Sequence, residues 1–288
     1  MHNYIIITDS GCDIDPITLQ NWGVARLNLF VQFDGEDVSY EDGQIPVKEF
    51  YEKMRQGGVA KTSAISIGIF EEAFEAHLQA GRDVLYLGFS GGLSTTYNSS
   101  RIAAEQLAEQ YPDRKIITVD TLAASAGLGM LVCFAARKQQ EGASIDEVAA
   151  WVEENKLRMA HWVTVDTLTY LQRGGRVSAT TAFFGNTLGI KPLIHVDNEG
   201  HLINVGKSRG RKKGLSDLVD NYARLALEPE QGEIFVCHSD CLDDVLALEG
   251  MLKERFGQKF GYIADIGAVV GAHTGPGTIA IFFLAKER

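Results

Sequence analysis

The sequence predicts an α/β protein of two domains, an N-terminal domain built on a mostly parallel sheet of βα units and a C-terminal α+β domain. Three observations carry this. Short aliphatic runs alternate with amphipathic stretches through the first half. Beyond about residue 158 strand-like runs dominate, and only two long helical patterns interrupt them. A chain of 288 residues, 45% of them hydrophobic, lies at the upper edge of what one core serves and has apolar side chains enough for two.

In the first half, Tyr4–Thr8, Val24–Phe33, Asp83–Gly88 and Lys115–Val119 read as strands. Ile67–Gln79, Thr95–Gln110 and Ser125–Gln140 read as helices, each opened by a Ser or Thr whose oxygen can accept from the free amides of a first turn. Ser144-Ile145-Asp146-Glu147 has the spacing of a capping box and starts a fourth helix that runs to about Arg158. The expected domains are therefore 1–158 and 159–288. In the second, His161–Val165, Lys191–Val196, His201–Val205, Glu233–Cys237, Phe260–Ile266 and Thr278–Leu284 read as strands, and Asp197-Asn198-Glu199-Gly200 as a hairpin turn.

Charge and cysteine usage exclude several functions. A formal net charge of −11 opposes general nucleic-acid binding, which needs a positive field to displace counterions from phosphates. The opening Met-His-Asn-Tyr-Ile-Ile-Ile-Thr has no basic leader region, and its apolar run is too short for a signal peptide or a membrane span, so a cytoplasmic location is expected. Cys12, Cys133, Cys237 and Cys241 show no disulfide-like spacing. The segment Cys237-His238-Ser239-Asp240-Cys241 spreads its thiols too far for a two-residue zinc knuckle, and neither metal nor cofactor is expected.

Several segments could carry chemistry. Gly88-Phe89-Ser90-Gly91-Gly92 follows a strand and precedes a helix, which admits a serine esterase or thioesterase using Ser90 as an alternative function. Against it, the best helix cap is Ser94, four residues on. Asp9 directly follows the first strand, but the second acid of an aspartyl-phosphate site would fall at Gly11, so Asp9, Ser10 and Asp13 read as turn residues. Gly206-Lys207-Ser208 lacks the first glycine of a phosphate loop, His201 standing in its place.

Two hydroxyl-rich stretches, Thr62-Ser63-Ala64-Ile65-Ser66 and Ser94-Thr95-Thr96, read as helix starts, and two converging starts would bind an anion such as a carboxylate without a buried lysine. His273 lies in Gly271-Ala272-His273-Thr274-Gly275-Pro276-Gly277, where the glycines allow close approach or unusual dihedrals and Pro276 stiffens the turn. An imidazole there can donate to a carboxylate and, when charged, partly neutralise it. The run Lys207-Ser208-Arg209-Gly210-Arg211-Lys212-Lys213 places five cations in seven residues, which is either a solvated face, the usual role of a charge run, or a docking patch for an acidic protein surface or a phosphate group. Gly174-Gly175-Arg176-Val177-Ser178 is a second glycine-rich turn, a gate or a simple bend. Phe183, Phe184 and Leu188 suit a tunnel wall or a core.

Taken in order, Thr8-Asp9-Ser10, Thr62-Ser63, Leu93-Ser94 with Thr96-Tyr97, Asp120 with Ser125 and Gly127, Tyr170-Leu171 with Gly174–Ser178, Lys191-Pro192, the 207–213 run and Gly271–Gly277 resemble the DegV family of bacterial fatty-acid-binding proteins along essentially the whole chain. The resemblance implies two α/β domains enclosing one long-chain fatty acid at their interface. It implies that hydroxyls and a histidine hold the carboxylate, which carries over to Thr62, Ser63, Ser94 and His273. Thr95 adjoins them where the family often has glycine, and Ile65 stands where it often has proline. The resemblance further implies a carrier rather than a catalyst, presenting the acid to a separate fatty-acid kinase that makes acyl phosphate for phospholipid synthesis. Lys207, Arg209 and Arg211 are then candidates for contact with the kinase or, transiently, with a membrane surface.

Overall fold

The computed structural model describes residues 3–177 and 189–288 of the chain. Strand β1 (Tyr4–Asp9) is buried along almost its whole length, as an aliphatic run must be at the centre of a sheet covered on both faces. It is joined through α1 (Pro16–Trp22) to β2 (Val24–Leu27), which lies beside it in parallel. The stretch expected as one strand over Val24–Phe33 divides at Asn28-Leu29: β3 (Phe30–Phe33) belongs to a different, three-stranded antiparallel sheet with β4 (Tyr40–Glu41) and β5 (Ala60–Ser63). The break has a local cause, since the Leu29 amide leaves the ladder to donate to the Ser10 hydroxyl at 3.0 Å while the Leu29 side chain is buried. Between β4 and β5 runs α2 (Val47–Arg55), which turns Phe50, Tyr51 and Met54 into the core.

After α3 (Ile67–Gln79), β6 (Asp83–Gly88) pairs in parallel with β1, and across α4 (Thr96–Gln110) the chain returns as β7 (Ile116–Asp120), parallel to β6. The resulting order, β2-β1-β6-β7, is the parallel βα sheet that the alternating runs imply. Helix α5 (Ala126–Gln140) follows, and α6 (Ile145–Asn155) opens with the capping box of Ser144 and Glu147 complete in both directions. Buried on nearly every side, α5 consists largely of Ala, Gly and aliphatic residues because it lies between this sheet and the next. One continuous apolar cluster joins Ile6 and Leu85 to Phe235 and Phe282 across it.

The remaining strands, β8 (Met159–Thr164), β9 (Ile190–Val196), β10 (Leu202–Arg209), β11 (Phe235–His238), β12 (Tyr262–Asp265) and β13 (Ile279–Leu284), form a sheet of order β10-β9-β8-β13-β11-β12, antiparallel except for the β11–β12 pair. The turn between β9 and β10 is the hairpin at Asp197–Gly200, with Gly200 at φ 80° donating to the Asp197 carbonyl at 3.0 Å. The two-residue period of strands sorts this sheet's faces. Trp162, Ile281 and Phe283 pack on α8 (Arg211–Leu225) and α9 (Leu242–Phe256), whereas His161, Val163, Ile194, Val196, Ala280 and Phe282 look the other way. Helix α7 (Thr169–Arg173) follows β8, and α10 (Ala268–Thr274) leaves β12 to pack on the three-stranded sheet, so a late segment of sequence completes an early part of the structure. Among the described residues no helix is long and apolar enough to cross a membrane.

Candidate functional site

A cavity of about 480 Å³ lies between the six-stranded sheet and the loops at the ends of β5, β6 and β7, within the size range of small-molecule pockets. Its sheet wall is mostly apolar, with Val163, Val165, Ile194, Val196, Ala280 and Phe282, and includes the buried His161, whose ring bonds the Met159 carbonyl and the Ala124 amide. Its other end is polar, and Thr62, Ser63, Ser94, Thr95, His273 and Arg176 meet there. The cavity therefore joins an apolar wall to a polar group of side chains.

Each polar residue arrives by a different route. Thr62 and Ser63 are not at a helix start, as their hydroxyls and the following helical pattern suggested; they lie in β5, opposite Val31 and Phe30 of β3. Their backbone belongs to that ladder, and α3 begins only at Ile67, where the Ser66 hydroxyl accepts from the Ile69 amide. The dipole of α3 is thus not what Thr62 brings to the site. Ser94 does sit at a helix start: its Oγ accepts from the Thr96 amide at 3.2 Å and pairs with the Thr96 hydroxyl at 2.9 Å. Thr95, beside it, is exposed at the rim.

His273 lies in the last turn of α10 rather than in a free loop, and its Nε2 meets the Thr62 Oγ1 at 2.8 Å. The glycines around it have steric causes. At Gly271 a Cβ would come within 2.4 Å of the Tyr51 hydroxyl, and at Gly275, with φ +80°, within 2.1 Å of the Tyr170 ring. Gly174, from the other glycine-rich turn, gives the imidazole its space, since a Cβ there would lie 2.1 Å from Nδ1. Burial, and then the nearby Arg176 charge, push the imidazole down to about 4, so it is neutral near neutral pH. Of the two roles open to the ring, donation and charge, the neutral form keeps donation.

A neutral imidazole carries one proton. Nδ1 is buried without a hydrogen-bond partner, and an orphaned buried N–H is rarer than an unshared acceptor lone pair. We therefore assign the proton to Nε2, which donates to Thr62. The Thr62 oxygen then accepts from behind and keeps its own hydrogen for the cavity, while the Ser94 oxygen accepts from the Thr96 amide and shares one hydrogen with the Thr96 hydroxyl. Arg176 supplies the positive charge. Its Nε donates to the Leu93 carbonyl at 3.1 Å, a guanidinium nitrogen bonds the Gly174 carbonyl, and burial lowers its pKa. Sequence reasoning had noted Arg176 only within a turn, because nothing local tells an arginine that faces a cavity from one that faces water.

The opposite wall of the head is also held from within. The buried Asp9 carboxylate accepts from the Tyr86 hydroxyl at 2.5 Å, the Phe89 amide at 2.9 Å and the Gly11 amide at 3.0 Å, which fixes the start of the loop that carries Ser94. Its burial pushes its pKa up to about 6. The turn role read for Asp9, Ser10 and Asp13 is what the structure has: Asp9 caps the 3-10 turn Ser10–Cys12, and Asp13 ends it at φ 52°.

Two other segments singled out in the sequence have structural partners of their own. Ser90 is fully buried, donates to the Gly200 carbonyl at 2.9 Å and accepts from the Gly92 amide at 3.2 Å, so its hydroxyl pins the β9–β10 hairpin, and among the described residues no imidazole bonds it. The basic run is not one patch. Lys207 and Arg209 lie on the exposed face of β10 beside Ile203 and Val205, but Arg211 is half-buried at the start of α8 and paired with Asp244 at 2.8 Å. Phe183, Phe184 and Leu188 lie outside the described residues.

Residues 3–286 match the family model described as "Uncharacterised protein, DegV family". A DegV domain-containing protein of Clostridium perfringens is 43% identical over 289 residues, covering 100% of this chain and 99% of its own. Among solved structures, a fatty-acid-binding DegV family protein from Thermus thermophilus superposes with TM-score 0.87 at 31% identity, over 99% of this chain and 100% of that one. A DegV lipid-binding protein from Thermotoga maritima superposes with TM-score 0.86 at 28% identity, over 99% of both chains. With a family match along almost its whole length and relatives of the same length and fold, the chain belongs to the DegV family.

Proposed function

We propose that the protein holds one long-chain fatty acid in this cavity, its carboxylate among Thr62, Ser63, Ser94, Thr95, His273 and Arg176 and its tail along the apolar face of the six-stranded sheet. The observation that carries the proposal is the grouping of side chains: the Thr62 hydroxyl in contact with His273 and the Ser94 hydroxyl at a helix start line one cavity, with a guanidinium beside them and apolar lining beyond. That set suits an anion with a long tail. Ten methylenes removed from water contribute about 8 kcal/mol, so the tail supplies the affinity and the head supplies orientation. Fatty-acid binding by the Thermus thermophilus relative supports the same reading.

The chain then works as two domains, 1–158 and 159–288, with the ligand between them, and as a carrier with no chemistry of its own. The finer role is presentation of the carboxylate to a fatty-acid kinase in the cytoplasm, for acyl-phosphate formation and phospholipid synthesis. Lys207 and Arg209, exposed on β10, are the residues of the basic run placed to meet that partner or, transiently, a membrane surface. Denaturing mass spectrometry of protein purified from cells supplied with fatty acids should release one fatty acid per chain. Lipid-free protein that also fails to take up fatty acid in a titration would refute the carrier reading. Addition of a fatty-acid kinase and ATP to the loaded protein should yield acyl phosphate, and its absence would remove the kinase role alone.

A further inference from the structure

Helix α10 carries His273 about one and a half turns beyond its N-terminus, and buried side chains from the N-terminal half hold that end. Asp13 accepts from the Gly267 amide at 2.9 Å through one oxygen and from the Ser125 hydroxyl at 2.5 Å through the other. Asp42 accepts from the Ala268 amide at 3.0 Å and also lies against the amide of Val269. The Ser10 hydroxyl, which accepts from the Leu29 amide, bonds Asp42 as well. Tyr51 donates to the Ile266 carbonyl at 2.8 Å.

Two carboxylates are a costly way to end a helix of seven residues. Asp13 and Asp42 are 8% and 5% exposed, and burying an acidic side chain is costly, where a single Ser or Asn would cap the helix without that penalty. Burial pushes Asp13 up to about 8 and raises Asp42 too. A helix this short does not keep its own direction, so its attachments decide where its last turn lies. The contact that depends on that placement is the 2.8 Å bond from His273 to Thr62, on which the orientation of the Thr62 hydroxyl rests.

We propose that Asp13 and Asp42 are positioning residues for the head of the site: they fix α10 so that His273 orders Thr62 as a donor to the ligand carboxylate. The inference rests on the fatty-acid reading above, and the test separates the two. Competition binding is measured for palmitic acid and its methyl ester on wild type, Asp42→Asn, His273→Ala and the double variant. Asp42→Asn is expected to weaken the acid roughly tenfold to hundredfold, the worth of a hydrogen bond to a charged group, with the ester unchanged. In the His273→Ala background it should cause no further loss, because the two residues act through one contact.

Equal weakening of acid and ester, or losses that simply add in the double variant, would overturn the positioning role in favour of a general structural one. Wild type that binds neither molecule would overturn the fatty-acid reading itself, and this inference with it. Should Asp42→Asn fail to fold, Ser10→Ala keeps both carboxyls and removes the hydroxyl behind Asp42, which is also the acceptor of the Leu29 amide. A reduced acid-over-ester preference in that variant supports the proposal, and an unchanged preference overturns it.

Discussion

Replacing Thr62 with Val removes one hydroxyl while keeping the branched shape that suits β5, and two effects follow from its contacts. In the loaded protein the carboxylate loses a donor, and a hydrogen bond to a charged group is worth about 1.5–3 kcal/mol, or roughly tenfold to hundredfold in affinity. In the unloaded protein His273 Nε2 loses its partner while Nδ1 already has none, so a buried imidazole stands unpaired. That costs about 1–3 kcal/mol of stability. At this chain length the corresponding fall in Tm is a few degrees. Displacement of a fluorescent fatty acid by palmitic acid and by its methyl ester reads the first effect, and thermal unfolding of stripped protein reads the second. The expected result is a lost preference for the acid together with the lower Tm. Unchanged acid affinity with a lowered Tm would refute the place given to Thr62 at the ligand head and leave it only a structural role.

Other outcomes follow from the same contacts. Ser90→Ala should bind fatty acid as wild type does and lose about 1 kcal/mol of stability with its bond to Gly200, and fluorophosphonate labelling of the wild-type Ser90 would contradict the role assigned here. In unliganded protein the His273 ring protons should titrate near pH 4 by NMR. Because the folded pKa lies below the unfolded value of about 6.5, the neutral ring's contribution to stability is full above that pH and is lost as pH falls through the folded pKa. A titration at the unfolded value would show that the ring is solvated. Arg209→Glu should impair transfer to a fatty-acid kinase with binding intact, whereas Arg211→Ala should lower stability through its lost pair with Asp244; a large Tm loss at Arg209 would reverse that division.

Local chemistry was legible in the sequence and long-range pairing was not. The strands Tyr4–Thr8 and Asp83–Gly88, the capping box at Ser144 and the hairpin at Asp197–Gly200 all rest on residues close together in the chain, and each stands where its signals put it. Thr62 and Ser63 looked like a helix start because two hydroxyls before a helical pattern are the usual signal, but the partner that makes them a strand is Phe30–Phe33, across the whole of α2. The glycines around His273 marked a special place for a reason that local sequence does not contain, since Tyr51 and Tyr170 occupy the space their side chains would need. Arg211 looked like surface charge until Asp244 arrived from another helix. Asp13 and Asp42 reach amides more than 220 residues away, and no periodicity or motif encodes such a contact.

The head of the cavity is tested most directly by titrating stripped protein with palmitic acid labelled with carbon-13 at its carboxyl group. One saturating site is predicted, with a bound carboxyl resonance that stays ionised to lower pH than the free acid, because the Arg176 charge and the Thr62 hydroxyl favour the charged form. A bound resonance that titrates like the acid in water would place the carboxylate in solvent and contradict the account.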